Sequence, residues 1–291
     1  MQDSDVGVIG ASSFIGLQLL STLTQSGWCV VAFTRQSKKS DSDGVEWRCI
    51  SSLDNTSDLD DKERSIPVWI CTAPIWVLPD YFSLLESYGV KRVVAFSSTS
   101  RFTKGDSSDP AEQAVARRLI ENETRLQHWA EEKGIDWIIV RPTLVYGMGK
   151  DKNVVEIMRL IRRWGFFPIL GAGRGLRQPV HVEDVAVACQ AILESANKNR
   201  VYTLSGGETL SYKEMVKRTF MALGKPPRFI HVPRWGFRLA LIGLRRFSRF
   251  QHWSVAMAER MDRDLVFDHQ DATVELGFSP RPFLLEKRDR S

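Results

Sequence analysis

The stretch Val6-Gly-Val-Ile-Gly-Ala-Ser-Ser-Phe-Ile-Gly-Leu-Gln-Leu-Leu20 decides the fold. A short β-branched run (6–9) passes through Gly10 into an amphipathic segment that starts at Phe14. A strand that turns through glycine into a helix leaves unpaired backbone N–H groups at the helix start, where the helix dipole also favours an anion. Gly10 permits the tight turn and Gly16 lets the helix pack close to the strand. In the pattern Gly-x-x-Gly-x-x-Gly, Ser13 takes the middle position, so a hydroxyl stands where bare backbone is expected. Loop 10–16, with Ser12, Ser13, Phe14 and Ile15 between its glycines, is therefore expected to bind the pyrophosphate of a dinucleotide.

Outward from this loop, near-continuous apolar runs recur at 29–34, 45–50, 68–72, 92–97 and 137–141. Strands buried on both faces have this composition and are usually parallel. Helical patterns separate several of them, at 14–26, roughly 80–88 and 110–133. In the last of these, Asp109, Pro110 and Glu112 resemble a capping box, and Gly134 closes the helix. Alternating β and α segments predict an α/β fold, a Rossmann-type doubly wound parallel sheet.

After Gly147 the rhythm changes. A helix (154–164), a glycine-rich turn, a short strand near 179–182, a helix opened by Asp184 and a strand at 201–205 follow. From Ser211 the chain is mainly helical, with breaks at prolines. The expected organisation is a dinucleotide-binding domain over residues 1–150, to which 176–205 return, and a smaller, mainly helical C-terminal domain over 151–291 that carries substrate or lid elements.

Composition narrows the function. Apolar residues make up 43% and charged residues 26% of 291 residues, a balance that builds a sizeable core. The N-terminus lacks a basic segment followed by an apolar one, and no run approaches the roughly 20 apolar residues of a membrane span, so a cytoplasmic protein is expected. Four scattered cysteines without CxxC spacing point to buried free thiols in a reducing compartment, and no metal site is visible. The net charge of +5 is uneven, with nine Lys/Arg against three Asp/Glu between Lys225 and Leu265. The segment 234–250 spaces Arg238, Arg245 and Arg249 on one helical side and apolar residues on another. A lid helix with solvated arginines and a helix lying on an anionic membrane surface both fit this pattern. No nucleic-acid recognition motif accompanies it.

The second strand ends in Thr34-Arg35, with Lys38 and Lys39 following. No carboxylate stands where a ribose 2′-hydroxyl is usually read, and Arg35 suits a 2′-phosphate, so NADP(H) is favoured over NAD(H).

Taken with 95–100 (AFSSTS), 141–149 (RPTLVYGMG), 177–186 (RQPVHVEDVA) and 204–215 (LSGGETLSYKEM), loop 10–16 makes the chain resemble the extended and atypical short-chain dehydrogenase/reductase families. The likeness is to NAD(P)-dependent epimerase/dehydratase proteins, and it covers nearly all of the chain. Residues 162–186 look most like a branch that includes an accessory subunit of respiratory complex I and its bacterial relatives. That branch binds NADP(H) and includes members with no demonstrated catalysis. The resemblance implies that Ala73, Ser97, Ser98 and Pro142 line the dinucleotide. It implies that Thr99 holds a substrate hydroxyl or carbonyl and is the candidate catalytic residue. Arg177 matches an arginine that grips a sugar nucleotide's diphosphate, although neutralising a loop would explain it equally. His181, in a short apolar strand, reads as structural.

The family's tyrosine and lysine are missing. The helix pattern Tyr-xxx-Lys-xxx-Glu aligns with Val115, Leu119 and Glu123, and no tyrosine occurs between Tyr88 and Tyr146. Tyr146-Gly-Met-Gly-Lys150 has the literal spacing, but two glycines make it a loop. Two functions stay open: an oxidoreductase or epimerase acting on a sugar nucleotide or other carbonyl substrate through a non-standard acid, or a non-catalytic NADP(H)-bound sensor, assembly or scaffold protein, membrane-associated if 234–250 lies on a bilayer.

Overall fold

The computed structural model describes residues 5–35, 44–50, 65–232 and 260–290. Lys38, Lys39 and the basic segment 234–250 lie outside the described residues.

The strands β1 (Asp5–Ile9), β2 (Cys29–Thr34), β3 (Val45–Cys49), β4 (Val68–Cys71), β5 (Arg92–Phe96) and β6 (Asp136–Pro142) join one seven-stranded sheet. Its remaining member is Arg200–Leu204, far along the chain, and the spatial order is that strand, then β6, β5, β4, β1, β2 and β3. Every pairing is parallel. The order reverses between β1 and β4, and ligands of open α/β sheets bind outside the carboxyl ends of the strands at such a switch point.

Helices cover both faces. On one side α1 (Phe14–Gln25) packs beside the helix Val182–Glu194, burying Leu19, Leu23, Val185, Cys189 and Ile192 against Val8, Val94 and Val140. On the other lie a 3-10 turn (Ile75–Tyr81), α2 (Phe82–Ser87) and the 24-residue α4 (Pro110–Lys133), preceded by the short α3 (Ser100–Thr103). Phe82 and Trp129 stack at 3.9 Å, fastening α2 to α4, and Glu86 accepts from the Trp129 indole at 2.7 Å. Between β6 and the helix at 182 come β7 (Val145–Tyr146), α5 (Val154–Trp164), β8 (Phe167–Leu170), β9 (Leu176–Arg177) and β10 (Val180–His181). The helix Val182–Glu194 is α6 and the strand Arg200–Leu204 is β11; β12 (Leu210–Ser211), α7 (Tyr212–Ala222) and β13 (Phe229–Val232) follow. Here a third apolar cluster joins α5 and α7 through Ile157, Ile161, Met215 and Phe220.

Three expectations change at the level of caps and ends. The helix expected near 80–88 begins earlier, as the 3-10 turn at Ile75, because Pro79 is accommodated in that tight turn. Asp184 does not open α6; the helix starts at Val182, where the His181 ring accepts from the Glu183 N–H at 3.3 Å, and Asp184 instead pairs with Arg281 at 2.7 Å. Asp109 caps α4 by accepting from Ala111 N–H at 2.9 Å, but Glu112 turns away to Ser107 and Arg260, so no reciprocal box forms. All four cysteines are free; Cys71 and Cys189 are buried, whereas Cys29 and Cys49 occupy strand ends and are exposed. Among the described residues no helix is long and apolar enough to cross a membrane, and no group of His, Cys, Asp or Glu is placed to hold a metal ion.

Candidate functional site

The loop between β1 and α1 is built from constraints that its sequence states. Gly10 has φ of +79°, and a Cβ there would lie 2.5 Å from the Ala73 nitrogen. A Cβ on Gly16 would lie 2.4 Å from the Gly10 carbonyl oxygen, so both positions exclude any side chain. Ser13 is the helix cap: its Oγ accepts from Gly16 N–H at 3.0 Å and meets Thr72 Oγ1 at 3.1 Å. The Thr72 hydroxyl donates to the Gly10 carbonyl at 2.8 Å, tying the loop to the end of β4. The side chain at the middle glycine position thus turns inward and leaves the outer face of the loop to backbone. Phe14 and Ile15 open α1, where the first N–H groups have no partner within the helix. Ser12 is exposed on the loop, and Arg35 is exposed where β2 ends. Ala73 faces Gly10 across the switch point.

At the ends of β5 and β6 the polar residues fall into one network. Glu123, 2% exposed, lies three helical turns into α4 and accepts from the Ser97 hydroxyl, the Arg101 guanidinium and Arg141 Nε, the last at 3.0 Å. A carboxylate sunk this deep is tolerable because two cations and a hydroxyl surround it. Thr99, 6% exposed, donates its hydroxyl to the Pro142 carbonyl at 3.2 Å, and its own N–H reaches the same oxygen at 3.3 Å. The hydroxyl proton is therefore already committed to backbone. Ser98 differs: its Oγ accepts from Ser100 N–H at 3.1 Å, which leaves its proton to be directed elsewhere.

One and two turns nearer the start of α4, at Leu119 and Val115, the side chains are apolar. Leu119, 3% exposed, packs in the apolar cluster with Ala95, Cys71 and Ile75, and Val115 leans on the same cluster. One position away, the Arg118 guanidinium lies 4.5 Å from the centroid of Trp76, in the turn after β4. The tyrosine with the decoy spacing is unavailable. Tyr146 is fully buried between His181 and Phe283, and burial pushes its phenol up to about 12.

Arg177 is placed away from any open surface. It is 5% exposed, its Nη1 donates to the carbonyls of Leu176 and Arg263 at 2.7 Å each, and its Nη2 donates to that of Arg260. Burial pulls its guanidinium down to about 10, and the Tyr212 ring covers it at 5.6 Å. It clamps the segment 260–265 against β9. Sequence reasoning did not foresee this clamp or the Ser13–Thr72 pair, because both join residues dozens of positions apart.

Fold and site define the class: a Rossmann-type α/β protein with a glycine-bounded helix start at its switch point and a carboxylate-anchored helix beside it. Residues 81–205 match the NAD dependent epimerase/dehydratase family model. Over that stretch, which includes β5, α4, β6 and α6, the chain is similar to proteins of that family. It is 25% identical to UDP-glucose 4-epimerase of Vibrio cholerae over 264 residues, 79% of each chain. It is 28% identical to the NADH dehydrogenase [ubiquinone] 1 alpha subcomplex subunit 9, mitochondrial, of Arabidopsis thaliana over 97 residues, 33% of this chain and 24% of that one. Among solved structures it is similar to MoeE5 in complex with UDP-glucuronic acid and NAD, with a TM-score of 0.70 and 22% identity over 98% of this chain and 96% of that chain.

Proposed function

We propose that this chain binds a nicotinamide dinucleotide, NADP(H) in preference to NAD(H), as a sensing or scaffolding ligand, and that it does not run the tyrosine–lysine proton relay of sugar-nucleotide epimerases. The observation that carries the reading is α4. It keeps Glu123 bound to Ser97 and Arg141, so the helix stands in register, yet it presents Val115 and the buried Leu119 where the acid and its lysine belong.

The residues present fit the dinucleotide. Gly10, Ser12, Ser13, Phe14, Ile15 and Gly16 form a loop in which the Ser13 hydroxyl is folded inward and Ser12 is exposed, and the start of α1 supplies N–H donors for a pyrophosphate. Ala73, Ser97, Ser98 and Pro142 border the same strand ends. Arg35, exposed at the end of β2, suits a 2′-phosphate. The bound nicotinamide would supply hydride chemistry. The protein's contribution to a proton is what is missing: Thr99 donates to Pro142, Tyr146 is sealed in the core, and loss of positioned acid–base help costs on the order of 10²–10⁴ in rate. The relatives support the pairing of a dinucleotide site with variable chemistry, since one is an epimerase and another is a subunit of NADH dehydrogenase.

Calorimetric titration with NADPH, NADP⁺, NADH and NAD⁺ tests the reading. Saturable binding, tighter for the phosphorylated pair and weakened by Arg35→Ala, is expected. Absence of binding at millimolar concentration overturns it. Epimerisation of UDP-glucose during prolonged incubation, abolished by Thr99→Val, would replace the sensing role with a catalytic one.

A further inference from the structure

Beside the dinucleotide edge, α3 turns an aromatic ring outward. Phe102 is 51% exposed although it directly follows the strand end that carries Ser98 and Thr99. The Phe267 ring stands 6.1 Å from it, tilted by 34°. Both rings are held from behind. Phe102 N–H donates to the Thr99 carbonyl at 3.1 Å. Phe267 N–H donates to Gln178 Oε1 at 2.7 Å, and its carbonyl accepts from Ser205 Oγ at 2.9 Å. Arg263 Nη1 reaches the Thr103 carbonyl at 3.4 Å and spans the two segments.

The charge beside it has a definite sign. The guanidinium carbons of Arg101 and Arg141 lie 5.1 and 5.3 Å from the Phe102 ring centroid. Both arginines share the carboxylate of Glu123, so among the described residues the pair carries more positive than negative charge next to the ring.

We propose that Phe102 and Phe267, flanked by Arg101 and Arg141, form a stacking platform for a planar aromatic anion, a fused-ring carboxylate or sulfonate in chemical class. Aromatic faces and guanidinium planes both favour a flat, conjugated partner, and the spare positive charge favours an anion. A sugar diphosphate is disfavoured here, because Arg177 has spent both Nη groups on the carbonyls of 176, 260 and 263. The platform's place at the carboxyl ends of the strands marks a small-ligand position. The inference rests on the dinucleotide reading for its setting and names the second ligand that this edge accepts.

The test titrates the full chain with anthraquinone-2-sulfonate by calorimetry, with NADPH binding measured separately on the same preparation. Saturable binding is expected, weakened about threefold to tenfold by Phe102→Ala and retained by Phe102→Tyr, as the strength of aromatic pairing implies. Cyclohexanesulfonate, an anion without a flat face, is expected to bind at least tenfold more weakly. Equal binding of the two sulfonates, indifference to Phe102→Ala, or displacement by UDP-glucose with the same Phe102 dependence overturns the platform. Sulfonate binding without NADPH binding would sink the dinucleotide reading and leave the platform standing; the reverse result would do the opposite.

Discussion

Two helix regions face the same sheet edge and have opposite histories written into them. The start of α1 has one departure from its pattern, Ser13, and the structure absorbs it: the hydroxyl becomes the cap and the backbone face stays clear. The middle of α4 has two departures, Val115 and Leu119, and the structure absorbs those by extending the core to them. A binding surface made of backbone survives a side-chain change, whereas a proton relay made of side chains does not. Position and proton chemistry are separable on α4: Glu123 holds the helix in place, and Val115 and Leu119 bring no titratable group to it.

Changes to α4 break this contrast most severely. Replacing Glu123 by Ala leaves two guanidiniums facing a cavity, and about 3–5 kcal/mol of stability is expected to go, read from urea unfolding. Leu119→Lys asks whether the lysine position is merely vacant. The site is buried and apolar, so a loss of about 2–4 kcal/mol is expected, and a stable variant would show that the edge still has room for the relay. On α1, Gly16→Ala drives a methyl against the Gly10 carbonyl; about 1–3 kcal/mol and most of the NADPH affinity should be lost. Ser13→Ala removes the cap and should cost about 1 kcal/mol, whereas Ser13→Gly should cost only a few tenths. If Ser13→Ala instead abolishes NADPH binding with the melting temperature unchanged, the serine contacts phosphate directly.

The smallest expected effect lies outside both helices and depends on pH. Asp289 is buried, which raises its carboxyl, but the His181 ring and the N–H groups of Met148 and Glu286 more than offset this and hold it below the ordinary aspartate value. A carboxyl depressed in the folded state stabilises at pH above its unfolded value of about 4, and that contribution fades as the pH falls through the lower folded value. The native chain should therefore lose stability in acid more steeply than Asp289→Asn, which carries no such term. Parallel melting curves of the two between pH 6 and 3 would remove the carboxylate from the explanation.

The sheet was legible in the sequence because buried parallel strands are locally apolar and their glycine turns are local too. The tight loop at Gly10 and Gly16 was legible for the same reason. What could not be read were partners distant in the chain. His181 caps α6 while Asp184 turns to Arg281, 97 positions away, and nothing near Asp184 distinguishes it from a cap. For Arg177 a diphosphate and a loop stay equally open in the sequence, because its acceptors are backbone carbonyls of 260 and 263, which no residue type announces. The exposed Phe102 was equally silent, since a phenylalanine a few residues past a buried strand reads as core.

The network around Glu123 also governs the order in which this chain can change. Ser97, Arg101 and Arg141 all converge on Glu123, so replacing the carboxylate strands two guanidiniums, whereas replacing one arginine leaves the other still paired. Val115 and Leu119 carry no such debt to their neighbours beyond volume. Replacements at 115 and 119 can therefore leave the helix in place, whereas replacement of Glu123 unfastens it. Introducing a titratable pair at 115 and 119 would have to reopen a filled core.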